Sequence, residues 1–200
     1  MPPYETSGHH DLGRHLLEAG LRRKFDLAAS DTYRIDHGFT VPLSFVRPEQ
    51  DLPVIPVWTN ILIPPLPPGE RYFELGAALR ESIEEFPGDL RVAMLATGHM
   101  TNSVGGPAML SVVEEPVNAW DLRTWELFTT GRVVELLPDC TWDELYKHGN
   151  GTPGFMVHLV AWGAVHGAVP SWSHLVSAPI IPPAAFVSWD ESSLTRKVEK

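Results

Sequence analysis

Apolar residues along this chain recur with two different periods, and the alternation between them predicts the order of elements. Over residues 11–24, Leu12, Leu16, Ala19 and Leu21 return at roughly helical spacing, with Arg14, His15, Glu18, Arg22 and Arg23 between them. That is the pattern of an amphipathic helix. Tyr72, Leu75, Leu79, Ile83 and Phe86 repeat the pattern at intervals of three and four before Pro87 and Gly88 end it. Two runs have another character: PVIPVWTNILIPP at 53–65 and LRVAMLAT at 90–97 are short and apolar on successive positions, as buried strands are. Strand, helix, strand in that order predicts a right-handed crossover and a parallel pair.

Beyond residue 117 the pattern turns helical. NAWDLRTWELFTTG places Trp120, Leu122, Trp125 and Leu127 or Phe128 on overlapping faces and stops at Gly131. Thr141 with Glu144 makes a capping box for WDELYKHG, and residues 155–165 predict a further helix carrying His158, Trp162 and His166 on one side. PSWSHLVSAPIIPPAAFVSW at 170–189 alternates apolar runs with Pro, like a strand or arm on the surface whose aromatics would cover a partner subunit. The expected fold class is therefore α/β: a single domain over 1–190 with a central, mostly parallel sheet flanked by helices, and a frayed tail at 191–200.

Composition narrows the functional classes. An apolar content of 44% over 200 residues suits one well-filled domain. Fifteen Lys and Arg against 25 Asp and Glu give a formal charge of −10, which repels phosphate backbones and anionic head groups, so neither nucleic acid nor a membrane is the expected partner. Cys140 is the only cysteine, so a disulfide within the chain and a thiolate metal cluster are both excluded. With no signal-like start and no apolar run of spanning length, the expectation is a cytoplasmic protein.

Candidate chemistry gathers at two places. DHGFTVPLS at 36–44 puts His37 in a turn at the mouth of an expected strand, and GHMTNSVGG at 98–106 is a glycine-rich polar loop directly after another. His99, Thr101 and Asn102 are site candidates by that position, and Asn60, late in the 54–63 run, is a candidate substrate contact or a backbone partner. The loop lacks the GxGxxG and GxxxxGK spacings, so it implies no nucleotide phosphate. His9, His10, Asp11, His15 and Glu18 read better as a solvated helix face than as a metal cluster, and His158 with His166 is spaced poorly for a ligand pair.

DHGFTVPLS, then VIPVWTNILIPPLPPGERYFELGAALR, then ATGHM after an apolar run, together resemble the catalytic subunit of the class III extradiol ring-cleavage dioxygenases, from about Tyr4 to Trp189. Its nearest likeness is to the β chain of protocatechuate 4,5-dioxygenase and to gallate-cleaving relatives. The resemblance implies an α/β domain in which two His and one carboxylate hold a single Fe(II), a catechol chelates the metal and O2 opens its ring. It implies that His37 lies near substrate, that Asn102 stands where the family has its acid/base His, and that Gly154 stands at the family's Glu ligand. The two His ligands belong to a segment N-terminal to the part resembled. An amide does not cycle a proton near neutral pH, and glycine has no ligand atom, so His99 is the remaining catalytic candidate. The expectation is a companion or binding subunit for an aromatic acid or catechol, in a homo- or hetero-oligomer with a dioxygenase-type subunit and with no iron of its own. The alternative is an active dioxygenase with relocated ligands, drawn from His37, His99, Asp36, His158 and His166, or with an N-terminal segment supplied by another chain.

Overall fold

The computed structural model describes residues 4–30, 34–105, 117–178 and 181–191. These form two compact units, one from residues up to 59 together with 78–97, the other from 60–77 and everything from 98 onward. Helix α3, Gly69–Glu84, contributes its first half to the second unit and its last turns to the first.

In the first unit, α1 spans His10–Arg22 and buries Leu12, Leu16 and Ala19 of the stripe read from the sequence, while Leu21 is exposed. Two histidines at its start and middle are tied to backbone: His9 Nδ1 accepts from the Leu12 amide at 3.2 Å as the N-cap, and His15 Nε2 donates to the Ser82 carbonyl at 2.8 Å. Arg23, just past the helix, bonds Glu81 and Glu85 at 3.1 and 2.5 Å. The DHGFTVPLS block is a helix, α2 (His37–Val46), and not the turn before a strand. Asp36 decides this locally, because its Oδ1 accepts from the Gly38 amide at 2.8 Å and starts the helix. Pro42 inside the helix has no amide to return to the Gly38 carbonyl, and the Thr97 hydroxyl donates to that carbonyl instead, at 3.1 Å.

The expected parallel sheet is absent from the described residues. Residues 54–63 and 90–97 form no strand among the described residues, and Leu90, Val92, Met94 and Leu95 stand 39–54% exposed. β-propensity names a backbone conformation, whereas a strand also needs a neighbour to pair with, which no described segment supplies here. The one sheet among the described residues is an antiparallel hairpin of β1 (Trp172–Ala178) and β2 (Ile181–Ser188), with Trp172 opposite Ser188 and Leu175 opposite Ala185. Pro182 and Pro183 fit because both strands of a hairpin are edges.

The second unit holds the larger core. Helix α4, Ala119–Thr129, begins at an Asn118–Asp121 capping box; a 3-10 segment (Val133–Asp139) and the short α5 (Trp142–Tyr146) follow. Thr141 caps α5 as its spacing predicts, accepting from the Glu144 amide at 3.3 Å. A 3-10 turn, Thr152–Phe155, runs straight into α6, Met156–Ala164, which is buried almost all round. Phe128 stacks on Trp162 with centroids 3.6 Å apart and on Phe155 at 5.3 Å, so α4 and α6 meet through aromatic faces. The start of α3 approaches α6 backbone to backbone: a β-carbon on Gly76 would strike the Val160 carbonyl, and one on Gly163 the Phe73 carbonyl. Residues 192–200, most of the expected tail, lie outside the described set, as does Gly106 at the end of the glycine-rich loop.

Candidate functional site

In the second unit the 98–105 loop is pinned against the segment that leads into α6. The Thr101 amide and hydroxyl donate to the two carboxylate oxygens of Asp121, at 3.1 and 2.7 Å, and the Asn118 amide donates to Oδ2 at 3.2 Å. Asp121 is fully buried, and three donors replace the water it has lost. Thr101 is likewise buried, and its hydroxyl ties the loop to Asp121. One residue on, the Asn102 amide donates to Thr152 Oγ1 at 3.0 Å, and the Asn102 carbonyl accepts from the Gly151 amide at 2.9 Å. Gly149, at φ 133°, lets the chain pass so close to the Asn102 carbonyl that a β-carbon would collide with it.

His99 and Gly154 face each other across this junction, with His99 exposed and Gly154 buried. Behind them lies His158, packed against Gly98, Phe155 and Phe128. Its Nδ1 is buried with no hydrogen-bond partner of good geometry. Burial pushes its pKa down to about 4, the charge of nearby His99 adds to the effect, and the Phe155 carbonyl opposes it. The imidazole is therefore neutral through the physiological range. Beside the junction an open cavity of about 540 Å³ is lined by Ser103, Asn118, Trp120, Tyr146, Lys147 and His148. Trp120 and His148 stack there with centroids 5.2 Å apart.

The remaining candidates lie elsewhere. His37 is exposed on the first turn of α2, in the first unit. Asn60 spends its amide on a local turn, with Nδ2 donating to the Ile63 carbonyl at 2.6 Å and Oδ1 accepting from the Ile63 amide at 3.2 Å. Its own carbonyl accepts from the Tyr72 hydroxyl at 2.5 Å. His166 is exposed at φ 52°, past the end of α6. The structure thus brings together His99, Thr101, Asn102 and Gly154, and adds Asp121, Thr152 and His158. Asp121 had a readable signal, since Asn-x-x-Asp opening a helical run is a capping box; Thr152 had none, being joined to Asn102 only in space.

A facial set of two imidazoles and one carboxylate for iron does not fit the donors of this junction. Asp121 has both oxygens engaged, and His158 is boxed between aromatic rings and a glycine backbone, so neither is open to a metal. Among the described residues, no group of three or more His, Cys, Asp or Glu is placed to hold a metal ion. No helix among them is long and apolar enough to cross a membrane.

Comparison with known proteins agrees with the motif reading. The chain is 37% identical to a gallate dioxygenase of Pseudomonas putida (strain KT2440) over 109 residues, 53% of this chain and 32% of that protein. It is 35% identical over 103 residues to a 2,3-dihydroxyphenylpropionate/2,3-dihydroxicinnamic acid 1,2-dioxygenase of Pseudomonas putida, covering 51% of this chain and 32% of the relative. The corresponding enzyme of Photorhabdus laumondii is 35% identical over 106 residues, 52% of this chain and again 32% of the relative. These matches span about a third of the length of the curated relatives. A family model described as the catalytic LigB subunit of aromatic ring-opening dioxygenase matches residues 1–185, and the chain belongs to that family.

Proposed function

We propose that this chain is a LigB-family subunit that binds a catechol-type aromatic acid without turning it over. The observation that carries the reading is Gly154, buried under the His99 ring at the position to which the family resemblance assigns the carboxylate ligand. Asn102, where the resemblance places a proton-cycling His, has its backbone fixed by Thr152 and Gly151, so the loop cannot slide to put another residue in its place. Ring opening needs an iron held open to substrate and O2 and a group that moves the diol proton. The junction supplies an imidazole, an amide and backbone, a set suited to holding oxygen-rich aromatics. The neighbouring cavity, with the Trp120–His148 stack on its wall, gives a planar aromatic a surface to lie on.

The test is anaerobic loading with Fe(II), desalting, metal analysis per chain, then O2 uptake with protocatechuate and gallate. The expected result is iron below about one tenth per chain and no O2 uptake, while protocatechuate quenches tryptophan fluorescence saturably. Stoichiometric iron with O2 consumption would sink the proposal in favour of relocated ligands.

A second reading rests on a separate observation. Residues 91–97 make no backbone hydrogen bond among the described residues, although their apolar side chains suit a strand. That favours assembly with a dioxygenase-type polypeptide that pairs with this run, in which case activity belongs to the assembly.

A further inference from the structure

We propose that the cavity beside the junction takes a hydroxyl-bearing planar ring by its face and its hydroxyls, and leaves any carboxylate on that ring in water. Its volume, about 540 Å³, is that of a small-molecule site. Trp120, in the first turn of α4, and His148, just past α5, stack at 27° with centroids 5.2 Å apart. Trp120 in turn meets the buried Phe155 edge-on at 5.1 Å, so the platform is anchored in the core of the second unit. The loop that carries Ser103 is clamped by Asn150, whose Oδ1 accepts from the Val104 amide at 2.7 Å and whose Nδ2 donates to the Val104 carbonyl at 3.0 Å. Gly149, next to His148, passes so close that a β-carbon there would lie 3.0 Å from Ser103 Oγ. Ser103 and His148 are therefore held near each other by backbone and not by chance of rotamer.

The polar groups of the lining decide the class of ligand. Its positive features are already matched: Lys147 Nζ donates to Glu144 Oε1 at 2.5 Å, and the N-terminal end of α4 carries the Asp121 carboxylate within its first turn. Asn118 Oδ1 is also engaged, by the Asp121 amide at 3.0 Å. The Ser103 hydroxyl, the Tyr146 hydroxyl and the His148 ring, by contrast, make no hydrogen bond among the described residues. Hydroxyls donate and accept, as does a neutral imidazole, and a phenolic hydroxyl is their complement on both counts. A carboxylate offers acceptors alone and needs an uncompensated cation to replace the water it leaves, which this lining does not supply; the formal charge of −10 works against it as well. This names the part of the ligand that the binding function proposed above recognises, and rests on it.

The experiment is anaerobic equilibrium dialysis of the EDTA-treated full-length chain against catechol, protocatechuate and benzoate. Catechol and protocatechuate are expected to bind within about threefold of each other, and benzoate at least about tenfold more weakly. His148→Ala should weaken catechol about tenfold with Tm within about 1 °C of the parent. Trp120→Leu should do the same to binding and Trp120→Phe should keep more affinity; because Trp120 touches the core, thermal unfolding accompanies both, and His148→Ala carries the test if Trp120→Leu is unfolded. Lys147→Gln should change catechol and protocatechuate by the same factor. Protocatechuate bound about tenfold more tightly than catechol, or weakened selectively by Lys147→Gln, would show that the carboxylate is read and overturn the ligand class. Benzoate bound as tightly as catechol would overturn it too, since the hydroxyls would then count for nothing. Catechol binding that neither His148→Ala nor a folded Trp120→Leu weakens would overturn the cavity as the site and leave the binding function standing. A parent chain that binds none of the three would overturn the binding function itself, and the site with it.

Discussion

The most consequential single side chain for pH behaviour is His158. Buried and without a good hydrogen-bond partner, it has its pKa pushed from 6.5 to about 4 in the folded protein. In the unfolded chain it takes a proton near pH 6.5, and in the folded chain only near 4. Between those values the unfolded state binds more protons, so folding stability is full above pH 6.5 and falls as pH drops toward 4, by an amount on the order of 3 kcal/mol. Urea denaturation at about pH 7.5, 6 and 5 should show this loss, and His158→Phe, which keeps a ring between Phe128 and Phe155, should flatten it. Equal pH slopes in the two proteins would remove His158 as the cause. The sequence showed this histidine only as a helical position beside Trp162; its burial comes from Phe128 of α4 and Phe155 packed against it.

At the scale of elements, α2 shows how one polar contact decides between alternatives. The run GFTVPLS has a proline and β-branched residues that argue for extended chain, yet the Asp36 cap starts a helix and the Thr97 hydroxyl satisfies the carbonyl that Pro42 leaves open. Thr97→Val is expected to cost about 0.5 kcal/mol by losing that exposed bond. In a Pro42→Ala background the same change should be nearly silent, since the backbone amide gained at position 42 then bonds the Gly38 carbonyl. Chemical denaturation of the four proteins of this cycle reads the coupling; additive effects would show that Thr97 does not serve this carbonyl. The helices α1 and α3 were legible because a 3.6-residue stripe reports its own buried face, whereas α4 was legible as a helix but buries Asp121 and Thr124 and leaves Leu122 exposed. The runs at 54–63 and 90–97 were legible as β-prone but not as a sheet, because the pairing partner of a strand is not written in its own residues.

For the molecule as a whole, the exposed run 91–97 is the feature with the widest consequence. Residues 91–97 have no backbone hydrogen bond among the described residues, so hydrogen exchange in the isolated chain should label them within seconds while α6 stays protected for hours. Mixing with a dioxygenase-type subunit that completes a sheet should slow exchange at 91–97 specifically; protection of 91–97 in the isolated, monomeric chain would contradict assembly through that run. The formal charge of −10 sets the kind of partner such an edge meets, favouring a surface of neutral or positive character.

What the sequence by itself determined is local or compositional: the amphipathic helices, the cap at Thr141, the acidic balance and a family motif carried by contiguous residues. Each is a property of neighbours in the chain, where spacing alone sets which groups meet. Tertiary structure decided the rest: that Thr101 is spent on Asp121, that Asn60 closes a turn, that His37 sits on a helix, and that Asn102 is joined to Thr152. The contacts that fix the 98–105 loop join residues 20 and 50 positions apart, and their energy exists only once the chain has closed the loops between them. A glycine in a sequence looks the same whatever surrounds it, and only the packed structure shows that at 76 and 163 it lets two helix backbones approach.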